Sequence, residues 1–366
     1  MRVEAAELHR VRLPLRTPLR AAHGVEHERR TILLRLRTDL GDGWGECSAL
    51  STPTYLPDHL AGAELVLTDH VLPQVLAAAD IEPGTLDAVV RLAGWPTVRM
   101  AVSTALLDAR LRVAGRSLAD DLGVESDVVP VGAVLGLGPV DELVERAEQL
   151  AADGVGRIKL KIRPGEDLRP LAAVRDAVGG DVELHADANG SYGPADLDAL
   201  LALDDLGLGL LEQPYAADRL TASAALQREM RTPIALDESI DSPTRAADAL
   251  ELGACRSLSC KPARLGGIDR AVAVHDLCVD RGASVWVGGM WESGFARQIV
   301  ITLAGLPGMT EVGDVGPATD YLAEDVVGSA PADEGVVRVH RGPGVAPAPV
   351  PDDLRRWREA LVEVRP

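Results

Sequence analysis

Three of the 37 basic residues in this chain are lysine, namely Lys159, Lys161 and Lys261, and every other one is arginine. A lysine that persists in such a background asks for a chemical reason. Arginine cannot release its proton near neutral pH, whereas a lysine brought toward a pKa of about 7–8 by burial or a neighbouring cation can act as a base. All three sit in strand-like runs, where a plain surface lysine is least expected: residues 157–162 (RIKLKI) and residues 256–261. Lys159 and Lys161 are i and i+2, so a strand puts them on one face. Held together there, each disfavours protonation of the other, and one amine is expected to be partly neutral at pH 7.

The carboxylates repeat the same logic at longer range. Lys161, Asp187, Glu212, Asp237 and Lys261 follow one another at intervals of 24 to 26 residues, about the length of one βα unit. Each therefore falls at the C-terminal end of a successive strand, the face on which barrel enzymes build their active sites. A helix cap or an ion pair accounts for any one of these residues alone, but not for three carboxylates in register with lysines on both sides. Three carboxylates converging from adjacent strands cannot all stay ionised without a cation. Asp187, Glu212 and Asp237 thus imply a hard divalent metal with oxygen ligands, Mg²⁺ or alternatively Mn²⁺. A metal between two amines suits removal of a proton α to a carboxylate: the metal offsets charge on the enediolate while a lysine takes the proton.

The elements that must position these residues follow from periodicity. Residues 1–49 alternate as a small antiparallel sheet, with strands over 7–13 and 31–37, a turn at Gly41-Asp42-Gly43 and a third strand from Trp44. Residues 16–30 are too polar and irregular for a core element and read as a mobile loop; residues 51–57 form a second loop carrying Tyr55. Helical spacing follows over 58–78, 85–93 and 97–114. From Val128 strand and helix alternate strictly, with strands over 129–135, 157–162, 182–187, 207–212, 233–237, 256–261 and 284–289, and a poorer eighth near 309–313. The expected fold is α/β: a TIM-type (β/α)7β barrel over residues 126–315, an N-terminal α+β capping domain over 1–125, and a C-terminal segment, 316–366, that packs back to complete the cap. No GxGxxG follows the first strand, which removes support for a dinucleotide fold.

Composition narrows the partners. A net charge of −19 and a pI near 4.8 argue against nucleic acid or an anionic membrane. No apolar run approaches the roughly 18 residues of a span, and the start shows no signal-peptide core. Cys47, Cys255, Cys260 and Cys278 lack metal-type spacing and are expected to be reduced and buried in a cytoplasmic protein.

These residues resemble the enolase superfamily. KxK on the second barrel strand, Asp/Glu/Asp on the third to fifth and Lys on the sixth are similar to its muconate-lactonizing subgroup. Gly288-Gly289-Met290-Trp291-Glu292-Ser293-Gly294 is similar to the GGM-x-E-[ST]-G signature of the branch containing o-succinylbenzoate synthase and N-succinylamino acid (N-acylamino acid) racemase. The resemblance covers nearly the whole chain. It implies that Asp187, Glu212 and Asp237 bind Mg²⁺, that Lys161 and Lys261 are the acid/base pair, and that Lys159 tunes Lys161. It makes Asn189 and Glu238 supporting residues. Gly288, Gly289 and Met290, with Glu292 and Tyr55, belong to the substrate wall, and the 16–30 and Tyr55 loops close over the site. Two departures concern the pocket: residues 131–135 carry no polar side chain, and Trp291 is bulkier than the aliphatic residue usual there.

The resemblance implies an enzyme acting on a small carboxylate, expected as a homo-oligomer. Its leading activity is the syn dehydration of o-succinylbenzoate synthase in menaquinone biosynthesis, a lyase reaction, accompanied by N-succinylamino acid racemisation. N-acylamino acid racemase as the main activity, an isomerase reaction, or another cycloisomerase or epimerase of the subgroup, is the alternative. Arg264 bears on the choice: a guanidinium beside Lys261 lowers that amine's pKa and favours a proton-transfer role, hence racemisation. A Schiff-base aldolase also uses a barrel lysine but needs no converging carboxylates, and a catalytically inert binding protein would not need Mg²⁺.

Overall fold

The computed structural model describes residues 1–21, 24–329 and 331–366. Its N-terminal part is an antiparallel sheet of β1 (Val3–Ala21), β2 (Gly24–Thr38) and β3 (Gly41–Cys47). Alternation sends Ile32, Leu34 and Leu36 into one apolar cluster, under the helices that follow. Leu33, Val11 and Leu13 go into another, shared with the barrel. The sheet is thus covered on both faces, which is why β2 reads as a continuous apolar run. Gly43 and Gly45 on β3 let the helix Pro96–Ala114 lie directly on the sheet: a Cβ at Gly45 would sit 1.9 Å from the Ala101 carbonyl oxygen, and one at Gly43 2.0 Å from that of Ala105.

Residues 16–30, expected as a loop, are instead part of a β-hairpin. Its described residues extend β1 and β2 into one long hairpin, with Pro14 opposite Glu28 and, after an irregularity, Leu19 opposite Glu26; residues 22 and 23 lie outside those described. Polar composition misleads because the ladder is made by backbone groups, which need no apolar side chains. One of the polar residues also faces inward. Arg29 is 2 % exposed and its guanidinium donates to the carbonyls of Ser48, Ala49, Arg30 and Trp291.

The expected run 129–135 divides into β4 (Val128–Pro130) and β5 (Gly132–Leu135). The parallel sheet continues through β6 (Arg157–Lys161), β7 (Glu183–Asp187), β8 (Leu210–Glu212), β9 (Ile234–Leu236), β10 (Ser257–Cys260) and β11 (Ser284–Val287), in sequential order and curled. On β6 the even positions Ile158 and Leu160 join the apolar layer under the helices, leaving Arg157, Lys159 and Lys161 on the inner face. The expected eighth strand is absent among the described residues. Residues 310–314 bridge the sheet's edges irregularly instead: Thr310 N–H donates to the Val285 carbonyl (3.2 Å), Asp314 N–H to that of Val287 (3.1 Å), and Gly132 N–H to that of Gly313 (3.1 Å). Gly313 allows the approach, since a Cβ there would fall 2.4 Å from the Val287 oxygen.

The C-terminal segment returns to the N-terminal sheet. β12 (Val336–Arg338) pairs with β4, and β13 (Arg358–Val364) adds to β1 antiparallel, from Ala6 opposite Val364 to Val11 opposite Arg358. No helix among the described residues is long and apolar enough to cross a membrane.

Gly45→Ala should lower the unfolding free energy by about 2–3 kcal/mol, because the helix must lift from β3 to admit one methyl group. Thermal denaturation checks this, and an unchanged midpoint would show that the close seating is dispensable.

Candidate active site

Five charged side chains stand at the barrel's C-terminal mouth because their strands end there. Lys161, Asp187 and Glu212 are the last residues of β6, β7 and β8, while Asp237 and Lys261 lie one residue beyond β9 and β10. Asp187, Glu212 and Asp237 are each no more than 1 % exposed. One layer down the strands, Leu210, Ala235 and Trp286 form an apolar plug.

Each amine is held by a carboxylate. Lys161 Nζ donates to Asp187 Oδ2 (2.6 Å) and Asn189 Oδ1 (2.7 Å). Lys261 Nζ donates to Asp237 Oδ2 (2.7 Å) and the Tyr55 hydroxyl (2.9 Å). Lys159 Nζ lies between Glu212 Oε2 (2.7 Å) and Asp314 Oδ2 (2.6 Å), with Asp187 Oδ2 at 3.4 Å. Of the two paired lysines, one of which was expected to be partly neutral, Lys159 is not that one. Burial opposes its charge, but Asp314, Glu212 and Asp187 outweigh that and hold its pKa above the usual lysine range. These carboxylates favour the charged form of Lys159.

Arg264 shares Asp237 and the Tyr55 hydroxyl with Lys261. Its guanidinium is fully buried and donates to Asp237 Oδ1 (2.6 Å), the Tyr55 hydroxyl (2.9 Å) and the carbonyls of Ile240 and Ser259. For Lys261, burial lowers the pKa and Arg264 adds to that, yet Asp237 and Tyr55 raise it well above the ordinary value. Asp237 is held well below the usual carboxylate range: burial opposes this, but Arg264 and Lys261 dominate.

Glu212 is the under-compensated member. Burial and the charge of Asp187 push its pKa up to about 8 despite Lys159, and its Oε1 is buried with no hydrogen-bond partner. A buried acceptor without a partner, beside two more carboxylates, is what a divalent cation with oxygen ligands would satisfy. The donor set fits Mg²⁺.

The supporting residues divide between wall and backing. Tyr55, Leu50, Lys159, Lys161, Asp187, Asn189, Lys261, Gly289, Met290, Trp291 and Asp314 line one cavity of about 910 Å³, which Thr17 of the β1–β2 hairpin also reaches. Asn189 donates from Nδ2 to Glu238 Oε1 (2.9 Å), tying two strand ends together. A Cβ on Gly288 would lie 2.8 Å from Lys261 Cε, so this glycine makes room for the lysine. Glu292 does not line the cavity. It accepts from Met290 N–H (2.5 Å) and pairs with Arg297 (2.8 Å), which holds the Gly288–Trp291 turn from behind.

Two residues escaped the sequence reading. Asp314 clamps Lys159 and pairs with Arg157 (2.7 Å), but it lies on the irregular closing segment, where no strand periodicity points to it. Gln213, fully buried with φ +40°, accepts from Asp237 N–H and Ser239 N–H and donates to the Ser239 hydroxyl, fixing the backbone that bears Asp237. Its position directly after Glu212 was the available signal.

Residues 142–350 match the family described as enolase C-terminal domain-like. The chain is 39 % identical to an N-succinylamino acid racemase from an Amycolatopsis species, over 99 % of both chains. It is 34 % identical to an o-succinylbenzoate synthase from Bacillus subtilis, over 97 % of this chain and 96 % of the relative. A solved member of the enolase superfamily from Listeria innocua superposes with a TM-score of 0.96 at 30 % identity, over 100 % of this chain and 99 % of the other. This chain therefore belongs to the enolase superfamily, in the branch whose relatives are named o-succinylbenzoate synthase and N-succinylamino acid racemase.

Proposed function

We propose that the enzyme removes the proton α to a carboxylate of a succinyl-bearing substrate, and that one site serves both dehydration to o-succinylbenzoate and racemisation of N-succinylamino acids. The observation that carries this reading is the pair Lys161 and Lys261. They rise from non-adjacent strands into a single cavity, so a substrate between them presents a different face to each amine. Asp187, Glu212 and Asp237 would hold Mg²⁺, which supplies charge neutralisation at the substrate carboxylate when bound.

In dehydration, Lys161 Nζ takes the α-proton, hydroxide leaves the neighbouring carbon on the same face, and the proton on Lys161 leaves with it as water. The C–H and C–O bonds break, one C=C bond forms, and the lysine ends neutral as it began. Lys261 stays protonated and faces the charge that develops on the substrate. In racemisation, Lys161 takes the proton from one face while the Lys261 ammonium returns one to the other, and the roles reverse for the opposite enantiomer. The buried Arg264, which shares Asp237 and Tyr55 with Lys261, supports racemisation as an activity: its charge works against the hold of Asp237 and Tyr55 on the Lys261 proton, which a proton acceptor at that position must lose. The four cysteines, all unpaired and buried, suit a reducing, cytoplasmic setting.

Lys161→Ala and Lys261→Ala should each reduce N-succinylamino acid racemisation by at least about 10²-fold, and EDTA should silence the wild-type enzyme until Mg²⁺ is restored. Exchange of the α-hydrogen in D₂O, followed by NMR, reads both effects; full exchange in both directions by either variant rejects the two-base reading. Arg264→Gln should depress racemisation more than dehydration, since only racemisation needs Lys261 to lose its proton. Equal losses in kcat for the two substrates would remove Arg264 from that role.

A further inference from the structure

A second constellation of metal-type donors lies at the other end of the barrel. Glu183, His185 and Asp187 are alternate residues of β7, so all three side chains face inward. Asp187 belongs to the catalytic mouth, and Glu183 is four residues away, about 13 Å along the strand. Leu210, Ala235 and Trp286 fill the barrel between the two ends. Near the N-terminal mouth, one oxygen of Glu183, one ring nitrogen of His185 and one oxygen of Glu311 all lie within 4.8 Å of one another. Glu311 arrives from the closing segment 310–314, in the position where a regular barrel has its eighth strand.

Several observations mark this as more than an acidic cluster. His185 is 2 % exposed, and its Nε2 lies 2.9 Å from Glu183 Oε1. The Glu183 and Glu311 carboxylates thus approach each other as well as the imidazole. Neither carboxylate is in contact with a lysine or arginine among the described residues: Glu183 is paired with His185, Glu311 accepts from Ser284, and the charge of Arg157 reaches both from a distance. Arg157, on the neighbouring strand, is already spent on the Val312 carbonyl (3.0 and 2.8 Å) and on Asp314. Gly209 keeps the space open: a Cβ there would fall 2.4 Å from Glu183 Oε1 and 3.0 Å from His185 Nε2. Glu183 and Glu311 are only partly buried, so the cluster is open toward solvent at this end.

We propose that Glu183, His185 and Glu311 bind a first-row transition divalent cation such as Zn²⁺, distinct from the ion of the catalytic mouth. One imidazole and two carboxylates suit Zn²⁺, Co²⁺ or Ni²⁺, whereas Mg²⁺ favours an all-oxygen shell. The ion would link β7 to the segment that closes the barrel without strand pairing. Its role is structural: it cross-links the one part of the wall that the backbone ladder leaves irregular.

The test uses the full chain in excess Mg²⁺, with Co²⁺ as probe, followed by its visible absorption and by equilibrium dialysis. One equivalent of Co²⁺ should bind despite the Mg²⁺ and raise the thermal midpoint. His185→Gln and Glu311→Gln should each weaken that binding by about tenfold or more while leaving Mg²⁺-dependent α-hydrogen exchange intact, and Asp187→Asn should retain it. Absence of Mg²⁺-resistant Co²⁺ in the wild type, or its persistence in both variants, overturns the proposal. Anomalous scattering at the zinc edge from Zn²⁺-soaked wild-type crystals decides without any variant: a peak between Glu183, His185 and Glu311 supports the site, and none there refutes it.

Discussion

The constraint on which the rest of the molecule depends is charge balance in a buried place. Asp187, Glu212 and Asp237 are brought together by the curl of the sheet with almost no exposure to water. Isolated charges there would cost several kcal/mol each. The chain meets this by setting an amine or guanidinium against each carboxylate: Lys161 on Asp187, Lys159 on Glu212, Lys261 and Arg264 on Asp237. The carboxylates that hold these amines and the guanidinium are also the oxygen donors that fit a divalent cation, and the orphaned oxygen of Glu212 marks where the balance of charge is incomplete.

Precision at this mouth depends on parts of the chain far from the chemistry. Glu46 of β3 is fully buried and accepts from Thr31, Ser48 and both the N–H and hydroxyl of Ser293, which joins the cap to the substrate-wall turn. Arg29 reaches the carbonyl of Trp291, a residue held at φ +61°. Arg99 bridges Asp87 of the cap and Asp269 of the barrel and donates to the Gly266 carbonyl. Removing the partners of Glu46, Arg29 or Arg99 would leave that buried side chain unsatisfied, a larger loss than the bond alone. The cap and the barrel mouth are thus set against each other by buried polar links as well as by apolar packing, the arrangement that holds a site within fractions of an ångström.

Much of the site could be read from residue order because two local periods coincide with it. The strand period of two puts Lys159 and Lys161 on one face, and the near-constant length of a βα unit carries Asp187, Glu212, Asp237 and Lys261 to successive strand ends. Where no period applies, reading fails. Residues 16–30 look like a loop because their side chains are polar, yet backbone pairing makes them a hairpin. Asp314 and Glu311 sit on a segment that is neither strand nor helix, so nothing local announces that one clamps Lys159 and the other faces His185.

The residue order by itself determined the chemical types and their spacing: an α/β architecture of repeated strand and helix, three carboxylates in register and lysines on either side of them. Local propensity and periodicity are short-range properties, and these features are short-range patterns repeated. Only the tertiary structure decided the protonation of Lys159, the neighbours of Arg264, the return of β13 to β1 and the meeting of Glu183, His185 and Glu311. Each of these depends on which distant side chain fills the space opposite, and that is set when the barrel closes and burial strengthens every charge within it.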